Sequence, residues 1–233
     1  MTRAQNLKEE GAYTPTEAAH YLRVPISTLR TWIFGQDYKA SSGNARRMRA
    51  VIKIADGEAK LLSFYNLVEI HVLAAFRRVH EIPLPKIRTG LEFVEKKLNT
   101  NRPLLNQNFL TDGLDIFVEK SGLLLNVTQG GQAVIRTTVE QFLKRIERDT
   151  SGIPIKLFPF SRHAGQEDTK SIVIDPRVSF GRPVLIGTSV PTVNVFERFL
   201  AGEPIEELAE DFRVEKSLIE EAIRCEQVQK TVA

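Results

Sequence analysis

Residues 14–22 and 25–33 each carry the pattern of a short amphipathic helix, and about three residues separate them. So short a turn makes the second helix cross the first, giving a helix-turn-helix. In the first helix Thr14 is placed to cap the free amides, Pro15 suits the first helical position and Glu17 completes a capping box. Ala18, Ala19 and Leu22 then share one face. In the second, Leu29, Trp32 and Ile33 share a face by helical spacing, while Ser27, Arg30, Thr31 and Phe34 point the other way. That register assigns Trp32 to the core rather than to stacking on a base.

The stretch that follows reads as a basic hairpin. Residues 40–44 form a flexible loop by composition and lead into Arg46, Arg47 and Arg49. Residues 51–54 alternate as a strand, Asp56-Gly57 is a hairpin turn signal, and residues 60–62 supply the return strand. A basic hairpin directly after a helix-turn-helix is a wing. Ser63 is placed to cap a long helix over 64–80, with Leu67, Ile70, Leu73, Ala74 and Phe76 on its buried side, and residues 86–98 form a further amphipathic helix. Beyond it, strands are expected at 115–119, 123–127 and 155–158 around a helix at 138–148, and 162–170 reads as an exposed linker. A strand at 171–175, a segment at 183–186 and three helices at 193–201, 205–212 and 216–227 complete the chain, with Gly202 ending the first helix and Pro204 starting the second. The expected fold is mainly α with small β elements (α+β), in four parts: 12–99, 100–161, the linker 162–170, and 171–228.

Composition narrows the function. Residues 1–99 hold 16 Lys/Arg against 10 Asp/Glu, a net +6, whereas residues 100–233 hold 16 against 19, a net −3. Only the front half is therefore suited to meet phosphate, unless the unevenness is simply solvated surface charge. The single cysteine, Cys225, offers no internal disulfide, and the polar start lacks the apolar stretch of a signal peptide. Glu69 and His71 interrupt the most apolar segment, so no membrane span is expected and the chain is placed in the cytoplasm, at the nucleoid when bound to DNA. His20, His71, His80 and His163 show no metal-ligand spacing, and no nucleophile elbow or phosphate-cradling glycine loop is present. We expect no enzyme, no catalytic residue, no cofactor and no metal.

The run Tyr13-Thr14-Pro15-Thr16-Glu17-Ala18-Ala19-His20-Tyr21-Leu22, with Ser27-Thr28-Leu29-Arg30-Thr31-Trp32, resembles the MerR and excisionase helix-turn-helix. The helix around Leu67–Arg78 looks like the one that follows the wing in that superfamily. Ile174-Asp175-Pro176, Gly181-Arg182-Pro183-Val184, Gly187-Thr188, Val190-Pro191-Thr192, Gly202-Glu203 and Glu206–Phe212 resemble the domain of unknown function 433. The two in this order resemble a VapB-type antitoxin of a type II toxin–antitoxin pair. The resemblance implies a partner, a PIN-like ribonuclease toxin that is bound and silenced, and repression of the chain's own promoter. Ser189 and Ile186 stand where that family often has basic residues, and Pro25 where a Ser cap is frequent.

The candidate DNA-binding residues follow from the chemistry of a recognition helix, which needs short polar and basic side chains close to base edges and phosphates. Ser27, Thr28, Arg30 and Thr31 meet that need, with Arg30 suited to bidentate contact with guanine. Thr16 is placed to bind a phosphate at the start of the first helix. Arg46, Arg47, Arg49 and Lys53 (with Lys60) are the wing cations, which give affinity and salt dependence rather than sequence choice. The bland alternative for all of them is an exposed, solvated surface. Helix-turn-helix proteins commonly dimerise to read two half-sites, so a homodimer is expected, with the helices from Phe64 and Lys86 as available faces. Glu215, Glu220, Glu221 and Glu226 outnumber Lys216 and Arg224 in the last helix, which points the C-terminal domain toward protein rather than DNA. Two readings compete: an antitoxin that binds promoter DNA, or a stand-alone MerR-like regulator without a toxin. A weaker third is an interaction module that has lost DNA binding.

Overall fold

A computed structural model describes residues 7–39, 45–80, 84–109, 113, 117, 137–161 and 169–227. The chain is mainly helical, with small antiparallel strand pairs. Helices α1 (Pro15–Leu22) and α2 (Ile26–Phe34) are followed by strands β1 (Gln36–Lys39) and β2 (Ala45–Met48), then by α3 (Phe64–His80) and α4 (Leu84–Leu98). Two short 3-10 turns, Pro103–Leu105 and Gln107–Phe109, lead on to a helical stretch at 137–143 and the strands β3 (Ile146–Arg148) and β4 (Pro154–Leu157). The C-terminal part holds β5 (Ile172–Val173), β6 (Val184–Leu185), α5 (Thr192–Leu200), α6 (Ile205–Phe212) and α7 (Lys216–Glu226).

Helix α3 is the mast of the fold. Every residue from Phe64 to Phe76 is buried, so the expected single apolar side is in fact a complete circumference. The helix-turn-helix packs on one side, and the segment after α4 closes the other: Phe76 meets Phe109 and Phe117 at ring centroids of 6.0 and 4.3 Å, and His71 meets Phe142 and Phe160 at 4.8 and 5.6 Å. A helix buried all round must satisfy its polar side chains internally. His71 does so through a ring nitrogen 3.0 Å from the Phe142 carbonyl. Ser63 caps the helix as expected, its Oγ accepting from Asn66 N at 3.2 Å. Burial of α3 also removes residues 64–76 from the faces available to a homodimer.

Three expectations are corrected. The wing is β1 and β2, paired antiparallel from Gln36↔Met48 to Lys39↔Ala45, and not the segment 51–62. Residues 51–54 alternate because Ile52 is buried, but the amides of Val51 and Ile52 donate to the Trp32 carbonyl, at 2.8 and 3.1 Å, rather than to a partner strand. Asp56 and Leu61 form only an isolated bridge, and Leu62 pairs with Tyr13 instead. The helix expected over 138–148 ends early, giving way to β3. Phe117 is helical, not extended. The rest of the 115–119 strand, the 123–127 strand, the loop 40–44 and the linker at 162–168 lie outside the described residues.

The C-terminal helices form a separate apolar cluster around Val195, Leu208, Ile219, Ala222 and Ile223, with Phe196, Phe199, Phe212 and Leu218 packed against it. Its join to the rest is extensive. Leu157 and Ile174 exchange backbone hydrogen bonds of 3.0 and 2.8 Å, continuing β4 into β5. Helix α1 and its flanking residues add further contacts: Tyr13 OH donates to the Gly181 carbonyl at 3.0 Å, His20 Nε2 lies 3.0 Å from the Glu226 carboxylate, and Arg23 Nη2 donates to the Arg224 carbonyl at 2.5 Å.

Candidate nucleic-acid interface

The helix-turn-helix is built by local chemistry. Thr14 Oγ1 accepts from Glu17 N at 3.2 Å while the Glu17 carboxylate accepts from Thr14 N at 2.8 Å, a complete capping box. Arg23 closes α1 in the left-handed region (φ 52°), which turns the chain sharply into α2. Pro25 precedes α2 without a side-chain cap. Leu29, Trp32 and Ile33 are buried, fixing the opposite face outward. On that face Ser27 and Arg30 are exposed, and Thr28 and Thr31 half-buried. Thr31 already donates its hydroxyl to the Ser27 carbonyl at 3.0 Å, so it offers a base less than Arg30 does.

Gly35 connects the recognition helix to the wing. Its φ is +77°, and a Cβ there would lie 2.1 Å from the Met48 carbonyl oxygen, so glycine alone lets β2 pass this close to the end of α2. On β2, Arg46 pairs with Tyr38 and Arg47 with Asp37; Arg47 is exposed. Arg49 and Lys53 follow on the return segment, both exposed. Asn66 anchors that segment to α3, its Nδ2 donating to the Lys53 carbonyl at 2.9 Å and its Oδ1 accepting from Ala55 N at 3.0 Å. Among the described residues Arg30, Arg47, Arg49 and Lys53 form no ion pair, which leaves their charges available to phosphate. Thr16 is exposed at the start of α1, on the wall of a cleft shared with the C-terminal part. The structure adds Arg88 of α4, whose guanidinium donates to the Arg49 carbonyl. Sequence spacing gives no hint of it, because its neighbour lies on a distant segment.

Beneath the return segment lies a cavity of about 550 Å³, lined by Arg49, Lys53, Arg88 and Arg102 with Glu69, Glu92 and Glu95. Glu69 is the buried member. Its carboxylate accepts from Asn66 Nδ2 at 2.9 Å and Arg102 Nη1 at 3.2 Å, yet burial still pushes its carboxyl up to about 7. A carboxyl raised above its ordinary 4.5 favours the fold fully at lower pH and loses that contribution as pH rises through 7. We therefore expect Glu69→Gln to melt above wild type at pH 8, by roughly 5 °C, with the gap closing toward pH 5. Parallel melting curves across that range check it. A constant gap would contradict it.

Among the described residues no group of three or more potential metal ligands is found, and no helix is long and apolar enough to cross a membrane.

Comparison with known proteins matches residues 11–91 to the family described as "Putative DNA-binding HTH domain" and residues 172–224 to that described as "Protein of unknown function (DUF433)". A Mycobacterium tuberculosis protein named "Putative antitoxin VapB45" is 30% identical over 228 residues, spanning 91% of this chain and 92% of its own. An uncharacterized protein of the same organism, Rv2308, is 24% identical over 94% of this chain and 91% of its own. The crystal structure of Rv2018, also from Mycobacterium tuberculosis, superposes with a TM-score of 0.65 at 24% identity, covering 92% of this chain and 98% of that one. It shares the fold. At 30% identity across nine-tenths of both chains, the protein belongs to the antitoxin family that VapB45 represents.

Proposed function

We propose that this chain is an antitoxin that binds and neutralises a PIN-like ribonuclease toxin and represses its own operon by binding promoter DNA. The observation that carries the DNA half is the set of exposed, unpaired cations Arg30, Arg47, Arg49 and Lys53 on the recognition helix and wing of a helix-turn-helix. Arg30 reads bases, and Arg46, Arg47, Arg49 and Lys53 hold phosphates. Ser27, Thr28 and Thr31 line the recognition helix, and Thr16 holds a backbone phosphate at the start of α1. The protein half rests on the antitoxin name of the relative and on the net charge of the C-terminal part, where residues 171–227 hold 6 Lys/Arg against 11 Asp/Glu. A homodimer supplies the second half-site. With α3 buried, its remaining helical face is the outer side of α4, where Glu92, Phe93, Lys96 and Lys97 are exposed. The chain carries out no chemistry in this reading and works in the cytoplasm.

A tagged pull-down from the native operon, with the flanking genes in place, tests it. Recovery of a small neighbour-encoded protein is expected. The second reading, a stand-alone regulator, draws on the cavity of about 550 Å³ against the wing's return segment, which is large enough for a small ligand. It predicts recovery of this chain alone, still shifting its upstream DNA.

A further inference from the structure

The C-terminal part is acidic, and four of its six cations are paired. Arg177 is held by Asp175, Arg198 by Glu203 and Asp211, Lys216 by Glu206, and Arg224 by Glu220 and Glu221. Among the described residues Arg182 and Arg213 have no such partner and are exposed, and of the two Arg182 is the one that lies beside α1. Next to it Phe180 is 95% exposed, an apolar ring held in solvent. Nothing in the domain's own core requires that placement.

The turn that carries both residues is firmly built. Ser179, Phe180 and Gly181 take consecutive positive φ values of 46°, 56° and 75°. The Asp175 carboxylate braces the entry, accepting from Arg177 N and Nε at 2.9 Å and from Nη2 at 2.7 Å. Ser179 Oγ donates to the Ser189 carbonyl at 2.8 Å. Tyr13 OH then ties the turn to the entrance of α1 through the Gly181 carbonyl, and a Cβ at Gly181 would lie 2.1 Å from that hydroxyl. The tie brings Arg182 to the helix-turn-helix. Arg182 and Thr16 both line one cleft of about 380 Å³. The two carboxylates in that cleft are engaged, Glu17 in the capping box and Glu226 by His20 and Thr192. The unneutralised charge facing outward there is Arg182.

We propose that the Ser179–Arg182 turn is a second DNA-contacting element, with Arg182 on a backbone phosphate next to the one held by Thr16 and Phe180 against the adjoining groove. This rests on the DNA-binding reading of α1 and α2. Charge complementarity and continuity with the helix-turn-helix favour DNA over a protein partner. An exposed phenylalanine beside a phosphate-binding arginine also suits the apolar edge of a sugar or base step. The acidic domain thus reaches DNA through one basic corner.

The test is a salt titration of full-length protein on the duplex upstream of its own gene and on an unrelated duplex of equal length. Arg182→Ala is expected to weaken binding to both duplexes alike, about 8-fold at 0.1 M salt, and to lower the salt slope by about 1. Arg182→Lys should restore the slope, since it keeps the charge. Phe180→Ser should weaken binding with the slope unchanged. If Arg47→Ala weakens binding but the Arg182 and Phe180 variants behave as wild type, the inference is overturned and the DNA-binding reading stands. If those variants keep DNA affinity but lose a co-purifying neighbour protein, the turn is a protein surface and the inference is again overturned. If wild type binds neither duplex at low salt, the DNA-binding reading fails and takes the inference with it.

Discussion

Replacing Arg46, Arg47 and Arg49 together by alanine is expected to weaken promoter binding on the order of 10²–10³-fold at 0.1 M salt and to flatten the salt slope by about 3. Each arginine that neutralises a phosphate releases condensed counterions, so a contact contributes about 0.9 to the slope of log K against log salt. Arg46 and Arg47 sit on β2 and Arg49 just after it, where the wing returns toward α3. The fold gives no reason for the triple variant to unfold: Arg47 and Arg49 are exposed, and the strand pairing of β1 with β2 is carried by backbone groups. Arg30→Ala should behave differently. A base-reading arginine costs about 1–3 kcal/mol against its preferred sequence and little against an unrelated duplex. Fluorescence anisotropy at several salt concentrations separates the two. A triple variant with wild-type slope would place the DNA elsewhere on the surface.

Arg145→Ala is expected to lower stability by roughly 3–5 kcal/mol, and the melting temperature by roughly 10 °C. Arg145 is 5% exposed and ties the chain just before β3 to the segment that follows β4. Its Nε donates to the Phe158 carbonyl at 2.6 Å, and Nη2 donates to the carbonyls of Pro159 at 2.9 Å and Thr169 at 3.2 Å. The guanidinium also lies 4.4 Å from the centre of the Phe160 ring. Truncation leaves the Phe158 and Pro159 carbonyls without their donor in a place water reaches poorly, which costs more than the loss of an exposed bond. Lysine in the same place keeps the charge but lacks the planar fork, so Arg145→Lys should fall between the two. Calorimetry or thermal melting by circular dichroism measures the series. An alanine variant melting within about 2 °C of wild type would show that these bonds contribute little to the fold.

The elements that the sequence made legible are those written in local chemistry. Thr14, Pro15 and Glu17 specify the start of α1 within four residues, and the capping box is present. Gly202 and Pro204 bracket the step between α5 and α6, whose observed span, Ile205–Phe212, is the expected one. Trp32 is buried, as its register with Leu29 and Ile33 requires. The wing was hidden for the opposite reason. Its strands, Gln-Asp-Tyr-Lys and Ala-Arg-Arg-Met, carry no apolar alternation, because a wing that projects into solvent is held by backbone pairing. Alternation at 51–54 instead marks Ile52 turned inward beneath α2. The full burial of α3 and the approach of Arg182 to Thr16 depend on contacts between segments far apart in the chain, which no local pattern encodes.

The most direct test of the antitoxin reading is growth after induction of the neighbouring gene, with and without this chain supplied from a second promoter. We predict arrest when the neighbour is expressed alone, and recovery when the chain is present. The Arg46, Arg47 and Arg49 triple-alanine variant should rescue equally well, because neutralising a toxin does not require the wing. A neighbour that is harmless alone, or an arrest that this chain leaves unrelieved, would contradict the account and leave a DNA-binding regulator without a toxin.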